Sequence, residues 1–319
     1  MPLFNGHYQP RVPADLGYYD LRLPEVREAQ AALAREAGIE GFCYWHYWFG
    51  NGKRLLERPF NEVLASGKPD FPFCLGWANE TWKGFFHGIY NRNVLIEQQY
   101  LGLEDYQSHF YAVLPAFLDR RYIRVNGKPL FLISKPLMIE DVSVFIELWQ
   151  KLARQNGIDE IYFVGQSEQI QVKSWLLEKG YHAMNIVRLV DCLKNKNIQP
   201  YEKANLPYVY RYADVLNTFV GQEEKETNII PTIIPNWDHS PRCGRESFIL
   251  HRSTPELFDE HLKQVLDAIA HKPEEERIAF IKSWNEWGEG NYLEPDLVYG
   301  KSYLNVIRER LFKRQKTGI

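Results

Sequence analysis

Toward its C-terminal end the chain reads Trp284-Asn285-Glu286-Trp287-Gly288-Glu289-Gly290, two carboxyl groups three residues apart with tryptophans beside them. On a helical turn this spacing brings the Cβ atoms to about 5–6 Å, where the charge of one carboxylate raises the pKa of the other. Glycosidic bonds are usually broken by such an unequal pair. One carboxyl gives a proton to the leaving oxygen and the other acts as nucleophile or base. Glu286 and Glu289 are therefore the candidate catalytic residues. A solvated Glu-x-x-Glu on a surface turn is the ordinary alternative; the flanking rings, the two glycines and the place at the end of an apolar run argue against it. Asn285 could orient a sugar hydroxyl or cap a turn.

The same mixture recurs where other apolar runs stop: Tyr44-Trp45-His46-Tyr47-Trp48, Trp77-Ala78-Asn79-Glu80 and Pro235-Asn236-Trp237-Asp238. Other runs lead into Lys135, into Gln166 and Glu168, and into Arg188. Flat rings with a polar handle suit half-wet clefts such as sugar sites. Tyr44, His46, Trp48, Trp77, Asn79, Glu80, Asn236, Trp237 and Asp238 thus join Asn285 and Trp287 as candidate substrate-binding residues. Glu80 and Asp238 could also cap helices, and His46, wedged among rings, could be a core histidine.

Competing chemistries find no support. Gly300-Lys301-Ser302 resembles the end of a phosphate loop, but Pro295 stands where its first glycine belongs. Gly50-Asn51-Gly52-Lys53 lacks the remaining glycine of a dinucleotide fingerprint. There is no HExxH and no Asp-x-Asp, and the nine histidines are scattered, so neither a metal nor a cofactor is expected. Cys43, Cys74, Cys192 and Cys243 form no CxxC pair, and a disulfide framework is not expected in a chain with this much core. A net charge of −3 gives no reason to expect a nucleic-acid partner. No apolar run approaches the ~18 residues of a membrane span. Met1-Pro2-Leu3-Phe4-Asn5-Gly6-His7 lacks a basic segment followed by an apolar one. A cytoplasmic protein is the expectation.

The candidate residues need a frame that gathers strand ends, and the periodicity supplies one. Helices are predicted over 23–38, 53–66, 103–119, 142–155, 172–179, 212–219, 255–270 and 301–312. Strands are predicted over 39–48, 71–78, 129–134, 161–165, 183–187, 229–234 and 278–284. Regular alternation of this kind argues for a parallel sheet covered by helices, here as one domain over residues 1–319. In a (β/α)₈ barrel the C-terminal strand ends share one face, where active sites sit. Eight helices accompany only seven strands, and the strand lacking is the first, because residues 1–22 carry Pro2, Pro10 and Pro13 and no strand pattern. The expected fold is a (β/α)₈ TIM barrel without its first strand. Its free strand edges would invite self-association or pairing with another chain.

The ordered motifs Gly6-His7-Tyr8-Gln9-Pro10-Arg11, Leu16-Gly17-Tyr18-Tyr19-Asp20, Gly41-Phe42-Cys43-Tyr44, Trp77-Ala78-Asn79-Glu80, Pro235-Asn236-Trp237-Asp238 and Asn285-Glu286-Trp287 resemble the WbsX-type family, nearly from end to end. That family is described as glycosyltransferase-like, or as similar to glycoside hydrolase family 99, the endo-α-mannosidases. The resemblance implies a (β/α)₈ barrel working in bacterial surface polysaccharide assembly, including lipopolysaccharide O-antigen. In the related endo-mannosidases one glutamate of a Glu-x-x-Glu motif draws a proton from the sugar 2-hydroxyl. That oxygen then attacks the anomeric carbon to give an epoxide-like intermediate, while the other glutamate protonates the leaving oxygen. Carried over by motif, Glu286 takes the first role and Glu289 the second. The chain departs from the motif at Gly288, where the endo-mannosidases have a histidine. It departs again at the front, since family members usually open with an apolar strand before the His-Tyr-Gln-Pro segment; a truncated or degenerate member is one reading of that difference.

The expectation is an enzyme that cleaves, transfers or trims α-linked sugars, with an oligosaccharide or polysaccharide as its partner. A catalytically silent glycan-binding or scaffold module, and a nucleotide-sugar glycosyltransferase, are the alternatives.

Overall fold

A computed structural model describes residues 1–84 and 93–317. Seven parallel strands form the main sheet: β1 Phe42–His46, β2 Phe73–Trp77, β3 Lys128–Ile133, β4 Tyr162–Ser167, β5 Ala183–Ile186, β6 Ile229–Ile233 and β7 Phe280–Ile281. They pair in chain order, each with the next, and β1 and β7 stand at the two ends. The principal helices are α1 Pro24–Ala37, α2 Arg58–Ser66, α3 Leu103–Phe117, α4 Val142–Gln155, α5 Lys173–Glu178, α6 Pro255–Ile269 and α7 Ser302–Thr317. Tyr212–Val215 is the short remnant of the helix expected at 212–219, and Ser240–Cys243 is a turn of helix that the periodicity did not predict. The seven strands and eight helices read from the sequence are all present.

Local chemistry sets several boundaries. Pro24 and Glu25 open α1, and Gly38 closes it in the left-handed region with φ 84. The second helix begins at Arg58, five residues later than expected, because Leu56 turns the chain at φ 56 and Pro59 occupies the first turn. Residues 1–22 form no strand of the sheet and make only an isolated bridge, Pro13 to Asp296.

Alternation along each strand sorts the side chains between two environments. Outward-facing Phe131 and Phe163 pack with Phe110 and Phe117 of α3 and with Phe145 and Trp149 of α4, forming the main core between sheet and helices. The opposite side of the sheet carries a chain of polar groups. Ser134 donates to Gln166, Gln166 to Asn185 at 2.8 Å, and Asn185 to Thr232 at 2.9 Å. These buried groups satisfy one another across four neighbouring strands.

The helical layer closes although the sheet does not. Leu33 and Ala37 of α1 cluster with Leu304 and Ile307 of α7. Beneath them β1 and β7 are unpaired with each other, and the ring of Phe42 reaches Trp284 at 5.3 Å. Phe42, Cys43 and Tyr44 are half-buried, and Trp45 is 42% exposed. A parallel strand is normally covered on both faces; β1 is not.

Candidate active site

The last strand leads into a tight hairpin in which Asn285–Glu286 pairs antiparallel with Asn291–Tyr292. Gly290 permits the turn with φ 52. A carbon added to it would lie 2.7 Å from Cβ of Asp238, so the hairpin rests directly on the segment following β6. The Asp238 amide donates to the Glu289 carbonyl at 2.8 Å, and Asn236 fastens the far strand, accepting from the Tyr292 amide at 2.9 Å.

On this support Glu286 and Glu289 converge on one cation. Arg242, in the short helix Ser240–Cys243, donates from one terminal nitrogen to Glu286 at 2.9 Å and from the other to Glu289 at 3.0 Å. Burial lifts the Glu286 carboxyl above its ordinary pKa; Arg242 pulls it back, Glu289 adds to the rise, and Lys282 opposes it. Glu289 also lies 3.8 Å from Nε2 of His239. Burial lowers the affinity of that imidazole for a proton more than the neighbouring carboxylates restore it. Tyr47, just beyond β1, has its phenol pushed up to about 12, first by burial and then by the charges of Glu286 and Glu80. Its ring meets Trp82 edge-on at 5.2 Å.

A second carboxylate stands behind the hairpin. Glu294 is 3% exposed and accepts from Tyr19, from Gln30 at 2.7 Å and from the Trp287 indole at 2.7 Å. Asn285 in turn donates to the Tyr19 hydroxyl at 3.0 Å. The N-terminal segment, α1 and the hairpin are thereby joined at one buried acid, whose pKa burial raises against the pull of these donors.

The predicted residues fall into three sets. Glu286, Glu289, Asn285 and Trp287 come together on the hairpin, and Trp237 lies beside it with Lys282 5.4 Å above its ring. Asn236 and Asp238 are bracing groups. Asp238 is fully enclosed, and despite the penalty of burial the His7 hydrogen bond and the Arg11 charge hold its carboxyl at about 2. Asn79 is likewise consumed, donating to the Lys135 carbonyl and the Tyr100 hydroxyl and accepting from the Lys135 amide. Glu80 is exposed and contributes charge near Tyr47.

The third set lies away from the hairpin. Tyr44 packs on Phe60 of α2 at 5.3 Å, and His46 meets His109 of α3, Nε2 to Nε2, at 2.8 Å. Trp48 stacks on His109 at 4.8 Å and donates to Asp105. Trp77 is 1% exposed and sits against Phe145 of α4. These four side chains occupy the helical layer. Along β1 the residues expected to bind substrate, 44, 46 and 48, point into the helical layer, whereas Cys43 and Trp45 face Gly76 and Tyr47 feels the charges of the glutamates. Arg242, Lys282 and Glu294 join the site from outside the expected set, and Tyr19 joins it from the motif Leu16-Gly17-Tyr18-Tyr19-Asp20. For Arg242 the only sequence signal is its position, four residues after Asp238 in the segment that follows a strand end.

Comparison with known proteins agrees with this architecture. The model of the family described as glycosyltransferase WbsX matches residues 1–307. Proteins printed as "Uncharacterized protein WxcX", from two strains of Xanthomonas campestris pv. campestris, are 33% identical over 98% of this chain. The chain spans 45% of their length. Among solved structures, a glycoside hydrolase-like protein superposes with a TM-score of 0.66 at 16% identity, covering 95% of this chain and 89% of the other. The family 99 endo-α-mannosidase of Bacteroides thetaiotaomicron gives 0.61 at 15% identity, over 96% and 84% of the two chains. These likenesses establish the barrel fold. Among the described residues no helix is long and apolar enough to cross a membrane.

Proposed function

The chain belongs to the glycosyltransferase WbsX family, and from that membership we propose that it is a carbohydrate-active enzyme acting on α-linked sugars in the assembly or processing of bacterial surface polysaccharide, including lipopolysaccharide O-antigen. The observation that carries this reading is the convergence of Glu286 and Glu289 on Arg242, on a hairpin at the C-terminal end of the last strand. That is the face on which barrel enzymes place their chemistry. Glu286, as a carboxylate, takes the proton of the sugar 2-hydroxyl, and the freed oxygen bonds to the anomeric carbon. The bond to the leaving oxygen breaks as Glu289 supplies its proton. In the return step Glu289 takes a proton from water or an acceptor hydroxyl, that oxygen opens the three-membered ring, and Glu286 gives its proton back to the 2-oxygen. Trp237, Asn285, Trp287 and Tyr47 surround the reacting sugar. The unpaired edges of β1 and β7 support pairing with a further strand, which the mass of the protein in solution would reveal.

The test is turnover of α-linked manno-oligosaccharides and related surface glycans by the parent, Glu286→Gln and Glu289→Gln. Each substitution is expected to reduce the rate at least about 10²-fold, the usual contribution of a positioned acid or base. Undiminished turnover in either would remove its assigned role. Oligosaccharide affinity that survives both substitutions, with no turnover in the parent, would identify a glycan-binding module instead. Turnover that requires a nucleoside diphosphate sugar would identify a transferase of that class.

A further inference from the structure

The guanidinium of Arg242 packs closely over Gly288, where the absence of a side chain leaves it room. A Cβ placed on Gly288 would lie 3.0 Å from Nε of Arg242, 3.3 Å from one terminal nitrogen and 3.2 Å from the Glu286 carboxylate. The guanidinium therefore lies along the turn between the two acids and closes on both. We propose that Arg242 is a positioning residue for the glutamate pair: seated on Gly288, it makes the state with a single proton on the pair the electroneutral one. The inference deepens the reading given under Proposed function and rests on it for its catalytic meaning.

Two carboxylates and one guanidinium carry one excess negative charge. One added proton leaves the three groups neutral, with one glutamate ionised and its neighbour protonated. That is the division of labour an acid–base pair requires. Were the cation absent, burial and the charge of Glu289 would raise the Glu286 carboxyl further, and its service as a base would weaken. Arg is suited to the task because its planar fork serves two acceptors at once and does not lose its charge. The other charged and titratable groups facing the pair contribute less directly. Lys282 arrives from the end of β7 and lies over Trp237, and His239 stands beside Glu289. Tyr47 comes from the end of β1 with Glu80 near it. Asp238, beneath the hairpin, is committed to His7, Gln9 and Ser240.

The experiment is a carboxyl ¹³C NMR titration of Glu286 and Glu289 in the full chain, for the parent, Arg242→Gln and Gly288→Ala. In Arg242→Gln the Glu286 titration is expected to move upward by about one pH unit or more, the effect of removing an opposite charge at contact distance. Gly288→Ala keeps the arginine but crowds its guanidinium by a few tenths of an ångström, and is expected to move Glu286 in the same direction by a smaller amount. Arg242→Lys returns the charge without the fork and is expected to restore only part of the shift. In the same variants the acidic limb of the kcat/KM profile should follow the NMR midpoint. An unchanged Glu286 titration in folded Arg242→Gln, or in Gly288→Ala should the first variant not fold, overturns the proposal. Failure of the enzymatic reading looks different: the titration moves as stated, yet Glu286→Gln leaves turnover intact.

Discussion

Glu294 accepts the indole N–H of Trp287 at 2.7 Å from behind the hairpin, so the ring beside the glutamate pair is held by an acid that never meets the cleft. Removing that acid leaves the Trp287 indole, the Tyr19 hydroxyl and the Gln30 amide without their acceptor. Glu294→Ala is expected to cost about 3 kcal/mol or more in urea unfolding, since each buried donor left unpaired costs about 1–3 kcal/mol. Glu294→Gln keeps one acceptor oxygen and should lose less. Equal stability of the alanine variant and the parent would show that the three donors find water.

Gly290 presents a backbone constraint. Alanine there must adopt φ near 52 and press its Cβ to 2.9 Å from the carbonyl oxygen of Asp238, which is main chain and cannot swing aside. The left-handed conformation costs about 1–2 kcal/mol, and the overpacking roughly 1–3 kcal/mol more. Gly290→Ala should therefore lower the unfolding free energy by at least about 2 kcal/mol and reduce turnover, because the hairpin carries both glutamates. A stability within about 0.5 kcal/mol of the parent, the usual range for an inconsequential surface change, would contradict this account.

Acid should weaken the fold well before its carboxylates are neutralised. His46 is held at about 3 and His109 well below its ordinary value, in both cases first by burial. One hydrogen between the two Nε2 atoms satisfies a neutral pair, and a second proton has no acceptor there. The unfolded chain binds protons at these histidines from about pH 6.5 downward while the folded chain does not. Their contribution is thus complete above that pH and is lost as pH falls through it toward 3. Urea unfolding between pH 7 and 4 should show a slope approaching about 1.4 kcal/mol per pH unit for each histidine. His109→Gln should flatten it; an unaltered slope would place the titration elsewhere.

Trp77 and Tyr47 should separate stability from binding. Trp77→Phe empties part of the core beside Phe145 and removes the donor to the Trp48 carbonyl, and should cost about 1–3 kcal/mol without changing oligosaccharide affinity. Tyr47→Phe should leave stability nearly unchanged while weakening binding or turnover. Calorimetric titration with an oligosaccharide that the parent binds, together with thermal unfolding, distinguishes the two. A Trp77→Phe variant that folds normally but loses affinity would return that residue to the cleft.

Much of the architecture was legible because strands and helices announce themselves by apolar periods. The seven strands, and the absence of one from residues 1–22, followed from alternation and from Pro2, Pro10 and Pro13. The acidic pair stands out in the sequence for a related reason: Glu286 and Glu289 follow directly on the apolar run that ends at Trp284. What the sequence could not supply was side-chain direction along β1. Aromatic side chains follow one another along β1 without alternating with polar ones, so nothing distinguishes Tyr44 and His46 from Trp45 and Tyr47 until Phe60, His109 and Gly76 are in place around them. Long-range partners were equally hidden. Arg242 precedes Glu286 by 44 residues, Tyr19 and Gln30 precede Glu294 by 275 and 264, and no local pattern marks such meetings.

Helices outnumber strands around this sheet, and the surplus has a mechanical meaning. The wall has a seam where β1 and β7 face each other without backbone bonds, spanned by the packing of α1 on α7 and by the ring of Phe42 against Trp284. Tyr47 hangs from one lip of the seam and the glutamate hairpin from the other. A change in how α1 packs on α7 would therefore alter the distance between Tyr47 and the two glutamates from the far side of the molecule.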